Sequence, residues 1–449
     1  MFSSDDTIAA IATPEGRGGI GIVRLSGPDA LPIATRILAR REKLEPRHAT
    51  LTKVRLDRSA SGVGDQVIAT WFPAPQSYTG EHVVEISAHG SPVVLRAILE
   101  SLVGEGARLA RPGEFTFRAY LNSRLDLIQA EAVADLVDAV TPLQARVAFA
   151  QLEGTLSDQV RRLDAELLDL IARLEASLDF PDEGFHFIEP HEVGGRIGAV
   201  LACLEVVLQH SEHGRVVREG AKVAIVGRAN VGKSSLFNAL LGEPRAIVTE
   251  VPGTTRDLVT EQVEIDGLAV TLIDTAGLRS TGDVVEQEGV NRAMGAIEAA
   301  DLLLVVIDSG DDLDDEDRRL LEDVPSARRL VIASKSDRRS RWDLEGAIRV
   351  STLTNSGIGT LKQSIVRALS GGDAWRDTPA ISNLRHASLL RRAQHSLRRA
   401  QAAAGEHGAP EEFVLVDLHQ ARDHFEEVVG ARTNEDVLRH IFDRFCVGK

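Results

Sequence analysis

The chain has 449 residues, 43% hydrophobic and 26% charged, which allows roughly three domains with buried cores. Lysine and arginine number 51 against 67 aspartates and glutamates, for a formal charge of −16. This excludes a surface built throughout to neutralise nucleic-acid phosphates, so any RNA contact must be local or made by a basic partner. Two distant cysteines, Cys203 and Cys446, exclude a disulfide framework and suit a reducing cytoplasm. The acidic start Met1-Phe2-Ser3-Ser4-Asp5-Asp6 has no signal-peptide run, and Leu302 to Ile307 is too short to span a bilayer. A cytoplasmic protein with no membrane segment is expected.

Residues 1–120 alternate strand-like and helix-like patterns, which predicts an α+β domain. Ile20 to Leu25 reads as a strand ending in the turn Ser26-Gly27-Pro28, followed by a helix over Asp29 to Leu38. Asp65 to Phe72 and Glu81 to Ile86 read as strands, and Pro92 to Leu102 as a helix with proline in its first turn. Arg24 and Glu81 sit beside strand-like runs; on their own they read as solvated strand-end charges. His82 and His89 have no metal-ligand spacing with any other His or Cys.

From Asn122 to Leu178 the apolar period is helical, broken at Thr141-Pro142. A further helix is expected from Pro190 to His213, with Cys203 in its core. Helical patterns return at Ser388 to Ala403, Phe413 to Val429 and Asn434 to Phe445. The simplest topology is a discontinuous helical domain, residues 121–215 and 375–449, interrupted by an insert at 216–374. Arg385, Arg391, Arg392, Arg398 and Arg399 form a basic face, read as a solvated helix surface rather than an RNA dock.

The insert alternates strands and helices as a doubly wound sheet does. Strands are expected at Lys222–Val226, Val263–Ile265, Ala269–Ile273, Leu302–Ile307, Leu330–Ala333 and Ile348–Val350. After the first comes Gly227-Arg228-Ala229-Asn230-Val231-Gly232-Lys233-Ser234-Ser235, then the helical Leu236 to Leu241. Strand, glycine-rich turn and helix make this GxxxxGKS a phosphate loop. Consecutive N–H groups and the helix N-terminus converge on one anion. Lys233 reaches the terminal phosphates and Ser234 ligates magnesium. The segment Thr249-Glu250-Val251-Pro252-Gly253-Thr254-Thr255 follows, with Thr255 completing the magnesium shell. Asp274, at the end of a strand, holds magnesium through water. Thr275-Ala276-Gly277 follows it, and the Gly277 N–H senses the γ-phosphate. Asn230 either stabilises the loop or ligates a monovalent cation.

Ser334-Lys335-Ser336-Asp337 selects the base: the Asp337 carboxylate suits guanine's paired donors, and the Lys335 stem covers the base face. GTPases normally carry asparagine where this chain has Ser334, so reduced affinity with guanine preference kept is expected. Ser351-Thr352-Leu353 sits where backbone N–H groups meet the base carbonyl. Leu278 occupies the place where a Ras-type glutamine orients water, so another group must do so; Asp283, Glu286 and Glu288 are candidates. The acidic run Asp311 to Asp317 reads as a helix start. These boxes alone also fit a GTP-switched assembly or signalling scaffold.

The chain ends Phe445-Cys446-Val447-Gly448-Lys449. Cys446 is either a reactive thiol or a small apolar residue capping the last helix. This ending joins Gly19-Ile20-Gly21-Ile22-Val23-Arg24-Leu25-Ser26-Gly27, Tyr78-Thr79-Gly80-Glu81, Arg111 to Thr116, Arg124-Leu125-Asp126-Leu127 and the GTPase boxes. Along essentially its full length the chain thereby resembles the MnmE (TrmE) family of tRNA-modifying GTPases. The resemblance implies a multidomain α/β chain: an N-terminal α+β tetrahydrofolate-binding and dimerisation domain, a discontinuous α-helical domain and an inserted Ras-like P-loop GTPase domain. It implies that Arg24, Glu81, Arg124 and Lys449 contact a 5-formyl- or methylene-tetrahydrofolate. It also implies a potassium site at Asn230, Thr249, Val251 and Thr254, and Glu286 as the carboxylate that activates water indirectly. The expected partners are a second copy, the FAD-dependent protein MnmG in a heterotetramer, and tRNA. The expected product is a carboxymethylaminomethyl-type group on carbon 5 of the wobble uridine. Ser334 and the loose Leu353-Thr354-Asn355-Ser356-Gly357 depart from the family pattern around the base.

Overall fold

The computed structural model describes residues 5–40, 42–54, 64–179, 190–209, 211–242, 259–274, 295, 297–324, 326–370, 381–405 and 411–449. Packing divides the chain into two compact units. One comprises Met1–Ala134, Gln151–Leu168 and His419–Lys449; the other comprises Asp135–Ala150 and Asp169–Leu418.

The first unit is built on six strands: β1 (Ile8–Ile11), β2 (Gly18–Ser26), β3 (Thr50–Val54), β4 (Asp65–Phe72), β5 (Val83–Gly90) and β6 (Arg108–Leu109). Their order is β3-β4-β5-β2-β1-β6, antiparallel except for the β1–β6 pair. The expected strands at β2, β4 and β5 are present. The others escaped notice because two, four or five residues are too few for a periodic signal; β1 is defined by pairing with β2, β6 by pairing with β1, and β3 by pairing with β4. Strand alternation sends Val23, Leu25, Val84 and Ile86 to one face. There they meet Ile33 and Ile37 of α1 (Ala30–Ile37) and Leu95, Ile98 and Leu102 of α2 (Pro92–Gly104). The opposite face carries Ile8 and Ala10, packed with Phe115 of α3 (Glu114–Leu121).

The helices that follow are α4 (Leu127–Asp138), α5 (Pro142–Leu152), α6 (Thr155–Asp179), α7 (Pro190–Leu208) and α8 (Ser211–Glu219). The expected break at Thr141-Pro142 separates α4 from α5, and a second falls at Gly154, between α5 and α6. In the second unit the sheet strands are β7 (Ala221–Val226), β8 (Val259–Ile265), β9 (Leu268–Asp274), β10 (Leu302–Asp308), β11 (Arg329–Ser334) and β12 (Ile348–Arg349). Their order is β12-β11-β10-β7-β9-β8, parallel except that β8 runs against β9. The helices α9 (Lys233–Leu241), α10 (Asp315–Asp323) and α11 (Ile358–Leu369) belong to this sheet. Both faces of β7 are covered. Val223 and Ile225 pack with Leu236, Leu240, Leu361 and Ile365, while Ala224 and Val226 pack with Leu303, Val305 and Ile307. This is why β7 and β10 read as unbroken apolar runs.

Three helices close the chain: α12 (Leu384–Gly405), α13 (Glu411–Val429) and α14 (Glu435–Phe442). Within the second unit α7 packs along α12. The stretch Glu192–Glu219 is long and apolar enough to cross a membrane by length and composition alone. Its buried residues Val193, Ile197, Val200, Leu201 and Leu204 recur at helical spacing, as in a bundle helix. Cys203 is exposed, against the expectation of a core position, because Leu204 and Leu201 occupy the buried stripe.

In the first unit the C-terminal segment is fastened to α3. Phe442 is fully buried and meets Phe117 edge-on at 5.1 Å, with Phe445 beside it. Of the two readings of Cys446, the apolar cap fails: α14 ends at Phe442, the buried residue is Phe445, and Cys446 is exposed.

Candidate functional site

The phosphate loop is held open by its backbone. A Cβ at Gly227 (φ 149°) would lie 2.3 Å from the Val306 carbonyl oxygen, so no side chain fits there. Asn230 takes the left-handed conformation (φ 63°) that asparagine tolerates best among residues with a Cβ. Val231 is buried in the sheet core and pins the loop. Lys233 opens α9; its buried ammonium donates to the Gly227 carbonyl at 2.9 Å and to that of Arg228. The first turn of α9 therefore brings a cation and the N-terminal end of a helix to one point. Ser234 Oγ donates to Asp274 Oδ2 at 3.0 Å, and both Ser234 and Ser235 are exposed. A hydroxyl and a carboxylate side by side are the hard oxygen donors that magnesium takes.

The base-reading loop is tied to the phosphate loop. Ser334 is buried, and its hydroxyl lies 2.6 Å from the Val231 carbonyl and 3.1 Å from that of Ile307. Its short side chain is thus a tether between loops. The Lys335 ammonium donates to the Asn230 carbonyl at 2.9 Å and to Asp308 Oδ2 at 2.6 Å. Asp308, buried at the end of β10, was not singled out from the sequence; its only signal was a carboxylate closing an apolar strand. Asp337 is exposed, and Ser351 Oγ donates to it at 2.6 Å. That bond, with a backbone N–H, holds the Asp337 carboxyl below the usual range, so it remains an acceptor for paired donors. The Ser351 N–H is engaged by the Ser356 carbonyl at 3.0 Å, which leaves Thr352 and Leu353 as the expected backbone donors.

A second polar cluster lies on the face of the N-terminal sheet opposite α1 and α2. Arg24 projects from β2 beneath Tyr78 and Phe115, 5.4 and 5.7 Å from their ring centres. Its Nε donates to Glu85 at 2.8 Å and its Nη1 to the Gly448 carbonyl at 3.3 Å. A Cβ at Gly448 (φ 100°) would meet the Ile11 carbonyl at 2.4 Å, so glycine is what lets the tail reach the sheet. Glu81 accepts from Ser26 Oγ at 2.6 Å and from Arg118 at 3.1 and 3.2 Å. Arg124 is exposed, and the place a Cβ would take on Gly80 is 3.3 Å from its stem, next to Glu81. Of the residues expected to bind folate, Arg24 touches the tail that ends in Lys449, and the stem of Arg124 lies against Gly80, the residue before Glu81. Neither Arg24 nor Glu81 is a solvated strand-end charge.

Beneath Glu81 lies a network the sequence did not announce. Arg118 and Glu114 are fully buried on α3, and Arg118 also bonds Asp6 at 2.6 Å. Arg108 pairs with Asp6 and with both oxygens of Glu114. Burial pushes Asp6 and Glu114 up, but hydrogen bonds from these guanidiniums outweigh it and hold both carboxyls below their usual range. The only sequence signal was the i,i+4 spacing of Glu114 and Arg118. Three arginines of the basic face of α12 are paired locally: Arg391 with Glu212, Arg398 with Glu205 and Arg399 with Asp417. Thr249, Glu250, Val251, Pro252, Gly253, Thr254, Thr255, Thr275, Ala276, Gly277, Asp283, Glu286 and Glu288 lie outside the described residues.

A doubly wound sheet with this loop at the end of its central strand, a hydroxyl–carboxylate pair beside it and a carboxylate base reader defines a P-loop GTPase. Comparison with known proteins sharpens this. Residues 7–124 match the family model described as GTP-binding protein TrmE N-terminus, and residues 127–446 match that of the MnmE helical domain. The protein named tRNA modification GTPase MnmE of Aquifex aeolicus is 41% identical over 449 residues, covering 99% of this chain and 100% of its own. That of Hydrogenovibrio crunogenus is 43% identical over 456 residues, covering 100% of both. Among solved structures, the G domain of the T. maritima FeoB iron transporter matches 33% of this chain and 98% of its own at 28% identity, with a TM-score of 0.27. The chain belongs to the MnmE family of tRNA modification GTPases.

Proposed function

We propose that this GTPase depends on potassium and works with the FAD-dependent protein MnmG to build the aminomethyl-type group on carbon 5 of the tRNA wobble uridine, taking a one-carbon unit from tetrahydrofolate. The observation that carries the reading is end-to-end identity above 40% with relatives named for tRNA modification.

In this reading Lys233 and the N–H groups from Asn230 to Ser235 grip the phosphates, while Asp337, Lys335, Thr352 and Leu353 hold guanine. Ser234 and Thr255, with Asp274 behind Ser234, hold magnesium, which supplies positive charge against the γ-phosphate. Asn230, Thr249, Val251 and Thr254 hold potassium, which supplies the charge an arginine finger supplies elsewhere. Glu286 orients the attacking water through an intermediary. The folate lies over the Arg24 face: Glu81 takes the donor pair of the pterin, while Arg124 and Lys449 take the carboxylates. The exposed ring of Tyr78 and the nearby tail support that placement, since a pterin is flat and the tail brings Cys446 with it. The chain acts in the cytoplasm as a homodimer within a heterotetramer with MnmG, and hydrolysis drives domain closure relayed to the folate site.

The test is mass spectrometry of tRNA from a deletion strain. Loss of the wobble-uridine modification, restored by the native gene and not by Glu286→Ala, is expected. Survival of the modification in the deletion strain would end this reading.

A further inference from the structure

We propose that Arg228 is a positioning residue for nucleotide binding, clamping the first half of the phosphate loop to the N-terminus of α10 through Asp314 and Asp317. Arg228 is the second residue of the loop. Its Nε donates to Asp317 Oδ1 at 3.0 Å and its Nη1 to Asp314 Oδ2 at 2.5 Å. Both acceptors are immobilised. Asp314 is the N-cap of α10, accepting from the N–H groups of Glu316 and Asp317 at 2.9 Å each, and Asp317 returns a bond to the Asp314 N–H. Asp317 is fully buried, and a buried carboxylate needs a fixed counter-charge. Burial pushes its carboxyl up while Arg228 draws it down. The acidic run read from the sequence as a helix start thus has a second task.

The loop needs such a clamp because of where its carbonyls go. Ser334 holds the Val231 carbonyl and Lys335 that of Asn230 from one side. The Arg228 carbonyl accepts from Lys233, the cation that must face the phosphates. Fixing the Asn230 and Val231 carbonyls toward the base-reading loop turns the N–H groups beside them toward an anion, while the Arg228 carbonyl holds the lysine in place. The Arg228 guanidinium is spent on α10, so it orders the loop without itself contacting phosphate. Without it, part of the loop must be ordered when nucleotide binds, and that cost appears in the affinity.

The clamp is tested on the full chain with fluorescent methylanthraniloyl derivatives of GDP and of a non-hydrolysable GTP analogue, in magnesium buffer. Arg228→Gln should weaken both about tenfold and equally, because the loop cradles phosphates common to both. Asp317→Asn should weaken them in the same sense, and the double variant should be no worse than the weaker single, since each removes the same contact. Arg228→Lys should recover part of the loss. If Asp317→Asn does not fold, Asp314→Asn replaces it in the cycle with Arg228→Gln. Native affinity in Arg228→Gln, weakening of the GTP analogue alone, or losses that multiply in the double variant would each overturn the proposal.

Discussion

The two polar centres of this protein are assembled in opposite ways. The phosphate loop takes its glycines, cation and hydroxyl from one stretch of chain, Gly227 to Ser235, and borrows distant residues only as fasteners. The centre on the N-terminal sheet draws Asp6, Arg24, Glu81, Arg108, Arg118 and Gly448 from six separate places. The first exposes donors to a ligand and leaves little charge buried without purpose. The second buries Glu114 and Arg118 completely and depends on every partner being present. A contiguous site loses most from direct hits and less from its fasteners, whereas a dispersed one is as strong as its least supported residue.

The largest effect should come from the contiguous site. Lys233→Ala should slow phosphate release by about a hundredfold or more, since it removes the cation at the point where charge develops. Near-native turnover would deny that the loop acts as a unit. The dispersed site is next, and is read as stability. Glu114→Gln leaves Arg108 and Arg118 short of a charge, which should cost about 3 kcal/mol or more in a denaturant melt followed on the N-terminal domain. The acid limb sharpens the contrast. Asp6 and Glu114 are depressed in the folded state. Their stabilisation is therefore complete above the unfolded carboxylate range, about pH 4. It is lost as pH falls through the still lower folded values. Stability of that domain should drop below about pH 4, and less steeply in Glu114→Gln; equal slopes would remove the network from the account. A fastener should matter less than either: Ser334→Ala strips the Val231 carbonyl of its donor, worth about 1–3 kcal/mol, and should weaken GDP binding several-fold in a titration. The smallest effect is expected at Arg391, an exposed partner of Glu212, where alanine should shift the melt by under about 0.5 kcal/mol.

Ser334 shows what a departure in sequence can keep: the missing amide predicts weaker nucleotide contact, and the hydroxyl still reaches the Val231 carbonyl and ties the two loops directly. Cys203 misled: an apolar helix suggested burial, but the stripe facing α12 is one residue away.

By itself the sequence determined the doubly wound sheet, the phosphate loop and the interrupted helical pattern. Each rests on local periodicity or on spacing within a few residues, which the chain carries wherever it is folded. Only tertiary structure decided that Asp308 anchors Lys335, that Arg228 spans to Asp317, that Arg118 is buried beneath Glu81, and that Gly448 near the end of the chain comes to rest on β1 and Arg24. Those contacts join residues from 27 to 424 positions apart. No periodicity encodes such pairs; they exist because packing brings charged donors and their acceptors into places too poor in water to leave either alone.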